Sequence, residues 1–227
     1  MNAQDPNVQI LQAVAQALGN LRKDLVFVGG CAAGLLITDK SRPSVRATQD
    51  VDLIAEVTAQ VEYYKLCEQL KSLGFREDAE GPLCRWRLNG LQVDVMPISE
   101  EVLGFTNRWY AESIRTAQTI VLPNGNEIRL IDASHFLATK VEAFHGRGGG
   151  DFGSHDLEDI INVIDGRPSI AEEVRNQSEP LQEYLRDELE ELLSTPAFLD
   201  ALPGHLRPTD QGRVPLVLQR MRAISGL

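Results

Sequence analysis

Four consecutive apolar β-formers, Leu25-Val26-Phe27-Val28, run directly into Gly29-Gly30 and then into Cys31-Ala32-Ala33. No other stretch limits the fold as tightly. A short run of this composition is a buried strand, and two glycines break it. The residues from Ala32 to Ile37 then start a helix, with Leu35, Leu36 and Ile37 for the core. A strand that turns through glycine into a helix leaves backbone N–H groups at the helix N-terminus. Those groups, together with the helix dipole, favour an anion such as phosphate. Glycine is needed where the backbone takes a positive φ or approaches a ligand closely. Taken alone, the Gly29-Gly30 pair is more often a tight turn with no ligand, so its meaning depends on what accompanies it.

Two acidic strands accompany it. In Asp50-Val51-Asp52-Leu53-Ile54, Asp50 and Asp52 project to one face while Val51 and Leu53 face the other. Carboxylates held this close repel unless a cation lies between them. Their hard oxygens suit Mg²⁺, which retains waters and takes phosphate oxygens. The plainer reading is a solvated strand edge, and Ile54 on the acidic face argues against it. Leu91-Gln92-Val93-Asp94-Val95-Met96 alternates as well, with Asp94 on the face opposite Leu91, Val93 and Val95. Cys84 to Leu88 is a strand, and Asn89-Gly90 is a two-residue hairpin signal, which puts Asp94 on the second strand of a hairpin. If that hairpin lies beside Asp50–Ile54, three carboxylates meet. Such a set can carry two metal ions that activate an attacking oxygen and stabilise a leaving pyrophosphate.

The ordered pattern Gly29-Gly30-x-Ala32, Arg46-x-Thr48-x-Asp50-x-Asp52 and a hydrophobically flanked Asp94 resembles the polymerase-β-type nucleotidyltransferase superfamily. Within it, the chain most resembles the AbiEii/AbiGii-toxin-like nucleotidyltransferases of bacteria. The helix Phe136–Phe144 carrying Lys140, then Arg147, a glycine run and His155-Asp156-Leu157-Glu158-Asp159-Ile160, is similar to that branch's lysine helix, arginine and Lys-Asp-x-x-Asp helix start. The likeness spans roughly residues 25–165. Two positions depart from it: Cys31 replaces a serine of many relatives, losing a hydroxyl for phosphate, and His155 replaces a lysine.

The resemblance implies an α+β fold. A nucleotidyltransferase core with a mixed β-sheet flanked by helices would occupy residues 1–131, and a helical region, 132–227, would complete the cleft. It implies Asp50, Asp52 and Asp94 as ligands for Mg²⁺ or Mn²⁺, with Lys140 joining them in catalysis. Gly29, Gly30, Arg46, Thr48, Lys140, Arg147 and Asp156 would contact the nucleotide. The implied reaction moves an NMP from an NTP to an acceptor hydroxyl, on an RNA or tRNA end or a protein side chain. The implied setting is a bacterial toxin–antitoxin or phage-defence system, with a cognate antitoxin as partner. A non-catalytic nucleotide- or partner-binding protein on the same fold stays open, as does a small-molecule (antibiotic) nucleotidyltransferase.

Composition narrows the field. A chain of 227 residues buries a real core, and no run is long enough to span a membrane. The N-terminus is polar, unlike a signal peptide. Cys31, Cys67 and Cys84 have no metal-like spacing and read as reduced thiols of a cytoplasmic protein; nothing suggests zinc. His135, His145 and His155 read as polar or capping residues. With 33 acidic against 22 basic residues and a net charge of −11, the chain leans against a large RNA footprint. Part of the excess, Glu183 to Glu191, is the exposed face of a helix. Arg85, Arg87, Arg108, Arg115, Lys140 and Arg147 are the cations available to line an NTP pocket. Spacing predicts further helices at Val8–Leu21 and at Gln60–Leu73, the latter presenting Val61, Tyr64, Leu66 and Leu70, and another at Asn107–Ala117. Thr119–Leu122 and Glu127–Leu130 form a second hairpin, Asp132 or Ser134 caps the Lys140 helix, and Gly146–Gly153 is a flexible loop. Beyond Ile164 the chain is helical and broken by prolines.

Overall fold

The computed structural model describes residues 4–42, 45–146 and 148–227. The fold is α+β, with a mixed seven-stranded sheet flanked by helices. The chain divides into two compact units, Met1–Gly34 with Arg46–Asp132, and Leu35–Val45 with Ala133–Leu227. Among the described residues, no helix is long and apolar enough to cross a membrane.

The first unit holds the sheet, in the order β3 (Arg76–Glu77), β4 (Arg85–Leu88), β5 (Leu91–Pro97), β2 (Asp50–Ala55), β1 (Leu25–Val28), β7 (Glu127–Leu130) and β6 (Gln118–Val121). β1 is buried along its whole length, as a continuous apolar run between two neighbours should be. It runs antiparallel to β2 and parallel to β7. β2 runs parallel to β5, with Asp50 opposite Gln92 and Asp52 opposite Asp94. The Asn89-Gly90 turn joins β4 and β5 as expected; both residues have positive φ, 49° and 87°. The β6–β7 hairpin also forms as read.

The helices of this unit shift several expected boundaries. α1 (Pro6–Leu18) ends before Leu21, in a short 3-10 turn over Gly19–Lys23. α2 (Gly29–Leu36) begins at the glycines themselves, not at Ala32. α3 (Gln60–Ser72) buries Tyr63, Leu66, Cys67 and Leu70. Val61 and Tyr64, read as core residues, are 64% and 67% exposed. The set 63, 66, 67, 70 is the one that keeps an i, i+3, i+4, i+7 stripe, so it wins the core. α4 (Glu100–Leu103) and α5 (Tyr110–Thr116) follow, with α5 starting later than Asn107.

The second unit is helical: α6 (Ala133–His145), α7 (His155–Gly166), α8 (Ile170–Arg175), α9 (Glu179–Ser194), α10 (Pro196–Ala201) and α11 (Val214–Ser225). Prolines open α9, α10 and α11, where a missing N–H costs nothing. α9 buries Leu181, Leu185, Leu189 and Leu192 and turns Glu183, Asp187, Glu190 and Glu191 to solvent. Residues 35–42 join this unit through its polar core. Thr38 and Asp39 donate backbone N–H bonds to Gly166 O at 3.0 and 2.9 Å. Asp165, fully buried, pairs with Arg42 at 2.8 Å and with Arg213 at 2.7 Å. The glycine-rich turn is tied back onto α6 by Gly148 N to Ala143 O and Gly150 N to Phe144 O.

Candidate active site

The site is built where β1 hands over to α2. Gly29 has φ +70°, and a Cβ added there would lie 1.8 Å from Asp52 Oδ2. Glycine is thus required twice, for its backbone and for its missing side chain. The strand register explains the contact, because Val28 lies opposite Asp52. The carboxylate of the second motif therefore rests on the glycine of the first.

Asp50 and Asp52 share a strand face, with Val51 and Leu53 fully buried on the other. Asp50 is exposed, and its Oδ1 accepts from the Thr48 hydroxyl and from Gln49 N at 3.2 Å. Thr48 is itself buried, and Arg46 leads into the strand half-buried. Cys31 sits directly after the glycines. Burial pushes its thiol pKa well up, and Asp52 and Asp50 push it further. It stays an S–H, and it donates to Asn7 O at 3.5 Å. It is thus neither a thiolate nucleophile nor a serine-like phosphate ligand.

Asp94 behaves differently. It lies in register with Asp52 on the neighbouring strand, as the alternation predicts. Its two oxygens, however, accept from Arg85 Nε and Nη2, both at 2.9 Å. Among the described residues, no group of three or more His, Cys, Asp or Glu side chains is arranged to hold a metal ion. The backbones align as expected, with Asp94 beside Asp52, and a bidentate guanidinium pairs with the Asp94 carboxylate. Asp50 and Asp52 place two carboxylates on one strand face beside an anion-favouring helix end, a donor type that suits a hard cation. Two hollows of this unit, about 460 and 450 Å³, are lined by neither glycine and by none of the three aspartates.

Lys140 is buried in the second unit. Its ammonium is 2.9 Å from Asp156 Oδ1 and 2.7 Å from Asp159 Oδ2. Burial pulls its pKa down, but Asp159 and Asp156 outweigh burial and raise it. The anions it meets within its own unit are these two carboxylates, and Asp156 is occupied in turn. His155, at the head of α7, pairs with Glu158 at 3.0 Å. Arg147 lies outside the described residues. Of the other expected cations, Arg87 pairs with Asp78, Arg115 with Glu112, and Arg108 lies over the Trp109 ring.

Two participants escape motif reading. Arg85, one of the cations available to an NTP pocket, is instead the partner of Asp94. Counting back from the Asn89-Gly90 turn puts it opposite Asp94. Asn7, 2% exposed, accepts from Thr48 N and donates to Arg46 O. Its signal is a polar residue in line with Leu11, Val14 and Leu18 on the apolar face of α1.

No protein-family model and no curated protein matches the chain. Among solved structures, it is similar to the crystal structure of an antigenic nucleotidyltransferase-like protein from Paracoccidioides brasiliensis. Identity is 25%, the TM-score is 0.50, and the match covers 88% of this chain and 93% of that one. A likeness over nearly the whole of both chains supports placing this protein with the nucleotidyltransferase superfamily, and a general nucleotidyltransferase function with it.

Proposed function

We propose that the chain is a metal-dependent nucleotidyltransferase that moves an NMP from an NTP to an acceptor hydroxyl. The observation that carries this reading is the contact between the two motifs, with Asp52 lying against Gly29 at the head of α2. Backbone N–H groups there hold the triphosphate. Asp50 and Asp52 would hold Mg²⁺ or Mn²⁺, which supplies phosphate charge neutralisation and activation of the attacking oxygen when bound. In the transfer the acceptor oxygen bonds to the α-phosphorus, the bond from that phosphorus to the β-bridging oxygen breaks, and pyrophosphate leaves. Asp94 takes the acceptor proton: a carboxylate has about four acceptor positions, and the Arg85 fork fills two. Lys140, enclosed by Asp156 and Asp159, serves to hold α7 on α6, and so orders the residues that follow it.

The acceptor is an RNA or tRNA end or a protein side chain. The net charge of −11 favours a small footprint over an extended RNA surface. The resemblance to the toxin-like branch extends the proposal to a toxin or phage-defence component held by an antitoxin. The Asp94–Arg85 pair favours a second reading, a protein that binds nucleotide without transferring it. Incubating the chain with each α-³²P-labelled NTP, Mg²⁺ and a bacterial extract separates the two. Label in an RNA or protein fraction with pyrophosphate release, lost in Asp52→Asn, supports transfer. Mg²⁺-dependent NTP binding without label or pyrophosphate selects the second reading.

A further inference from the structure

Asn7 lies in a helix that contributes no motif residue, yet its amide clasps the lead-in to the acidic strand. Its Oδ1 accepts from Thr48 N at 3.0 Å, and its Nδ2 donates to Arg46 O at 2.9 Å. In a parallel ladder, one residue bonds the C=O before and the N–H after the residue it faces. The Asn7 side chain makes that pair of bonds around Ala47, acting as a one-residue strand beside it. The clasp passes directly to the candidate site, because the Thr48 hydroxyl donates to Asp50 Oδ1. The backbone of Asn7 is engaged as well, its carbonyl accepting from the Cys31 thiol just beyond Gly29-Gly30. Its own N–H is anchored by the Asp5 carboxylate at 2.9 Å.

We propose that Asn7 is the positioning residue that sets the placement of Asp50 relative to the Gly29-Gly30 corner, through Thr48 on one side and Cys31 on the other. This inference rests on the reading of Asp50 and Asp52 as cation ligands. Only an amide offers a donor and an acceptor in the geometry of a peptide group. An aspartate would face Arg46 O with a second acceptor, and an alanine would leave both backbone groups without these partners. Cys31 takes a new meaning: its thiol is the donor that links the head of α2 to α1, and not merely a serine hydroxyl lost from phosphate contact. Partners that orient ligands of a metal change its affinity by about 10- to 100-fold when removed.

The test is Mn²⁺ binding to the NTP-free full chain, followed by electron paramagnetic resonance, with thermal unfolding of each variant alongside. Wild type is expected to bind Mn²⁺ in a manner abolished by Asp52→Asn. Asn7→Ala is expected to bind about 10- to 100-fold more weakly, while Gln9→Ala, exposed on the same helix, binds as wild type. Should Asn7→Ala fail to fold, Thr48→Val keeps the side-chain shape, removes the hydroxyl on Asp50, and is expected to weaken Mn²⁺ in the same sense. Asp52-dependent binding with wild-type affinity in Asn7→Ala, or in Thr48→Val where that variant stands in, overturns the inference and leaves the functional reading intact. Absence of Asp52-dependent binding in wild type overturns the functional reading, and this inference falls with it.

Discussion

Two acidic groups, one in each unit, are built from the same side chain and arranged in opposite ways. Around α6 and α7, Asp156 and Asp159 are buried, and both close on the buried ammonium of Lys140. At β2, Asp50 is exposed and is held by a hydroxyl and a backbone N–H, both neutral donors. Asp52 leans on a glycine that leaves space for it. The first group carries its counter-charge internally. The second stacks two carboxylates on one strand face beside an anion-favouring helix end. Burying charge demands pairing, because an unpaired ion in a low-dielectric interior is expensive. One exposed and one half-buried carboxylate on a single face beside glycine suit a site that takes a hard cation. The resemblance implies a catalytic role for Lys140 with the β2 aspartates and a nucleotide contact for Asp156, while the structure gives the two groups different environments, one closed on a buried ammonium and one not.

The largest effect should come from breaking the brace. Lys140→Met leaves two buried carboxylates without their cation and is expected to destabilise the fold by about 3–5 kcal/mol, measured by urea unfolding. The pH dependence sharpens this. Lys140 has a folded pKa above its ordinary value. Its stabilisation is therefore fully present below the ordinary lysine pKa of about 10.4. It is lost as pH rises through the folded value. Wild type should lose this increment only above that range, and Lys140→Met should show no such step. Wild-type stability in Lys140→Met would make the pair a surface ornament and dissolve the contrast.

Next in size is Gly29→Ala. Positive φ alone costs about 1–3 kcal/mol for a side-chain-bearing residue, and the added methyl must displace the Asp52 carboxylate. A lowered melting temperature together with lost Mg²⁺-dependent NTP binding is expected. Normal binding would mean that the corner does not form the site.

Arg85→Gln should have a smaller effect on stability. The pair is partly exposed, at 26% and 13% of the two side chains, so solvent screens it. A loss of up to about 1–2 kcal/mol is expected in chemical unfolding, scaled between surface and buried pairs. In the same variant Asp94 is released beside Asp52, and Mn²⁺ affinity should rise. A fall would show that Arg85 supports the ligand site instead of occupying its third carboxylate.

Much of the first unit was legible because its signals are local. The apolar run of β1, the glycine break, the alternation of β2 and β5 and the Asn89-Gly90 turn each specify a piece of backbone, and together they specify the register of Asp52 with Asp94. What the strands could not show was where each carboxylate turns. That depended on Arg85, whose position across the hairpin follows from the turn by counting, but whose pairing with Asp94 is visible only once side chains are placed. Asn7 and the transfer of residues 35–45 to the helical unit depend on partners far along the chain, such as Arg46 and Asp165, for which no local pattern exists. On α3, Leu66 and Leu70 are buried as expected, but Tyr63 and Cys67 join them in place of Val61 and Tyr64, because only that set keeps the i, i+3, i+4, i+7 stripe. Lys140 is buried on a helix buried almost throughout, and the carboxylates that meet it come from the next helix, which no pattern local to α6 reveals.

The central claim is that Asp50 and Asp52 share one strand face to serve a ligand, and Asp52→Asn tests it most directly. Isothermal titration of NTP in the presence of Mg²⁺, paired with thermal unfolding of the same samples, reads both halves of the claim. The account predicts that Asp52→Asn loses Mg²⁺-dependent NTP binding while its melting temperature holds or rises, because a repulsive charge next to Asp50 is removed. Unchanged Mg²⁺-dependent binding, or a large drop in stability, would contradict it and make Asp52 a structural residue like Asp156 and Asp159.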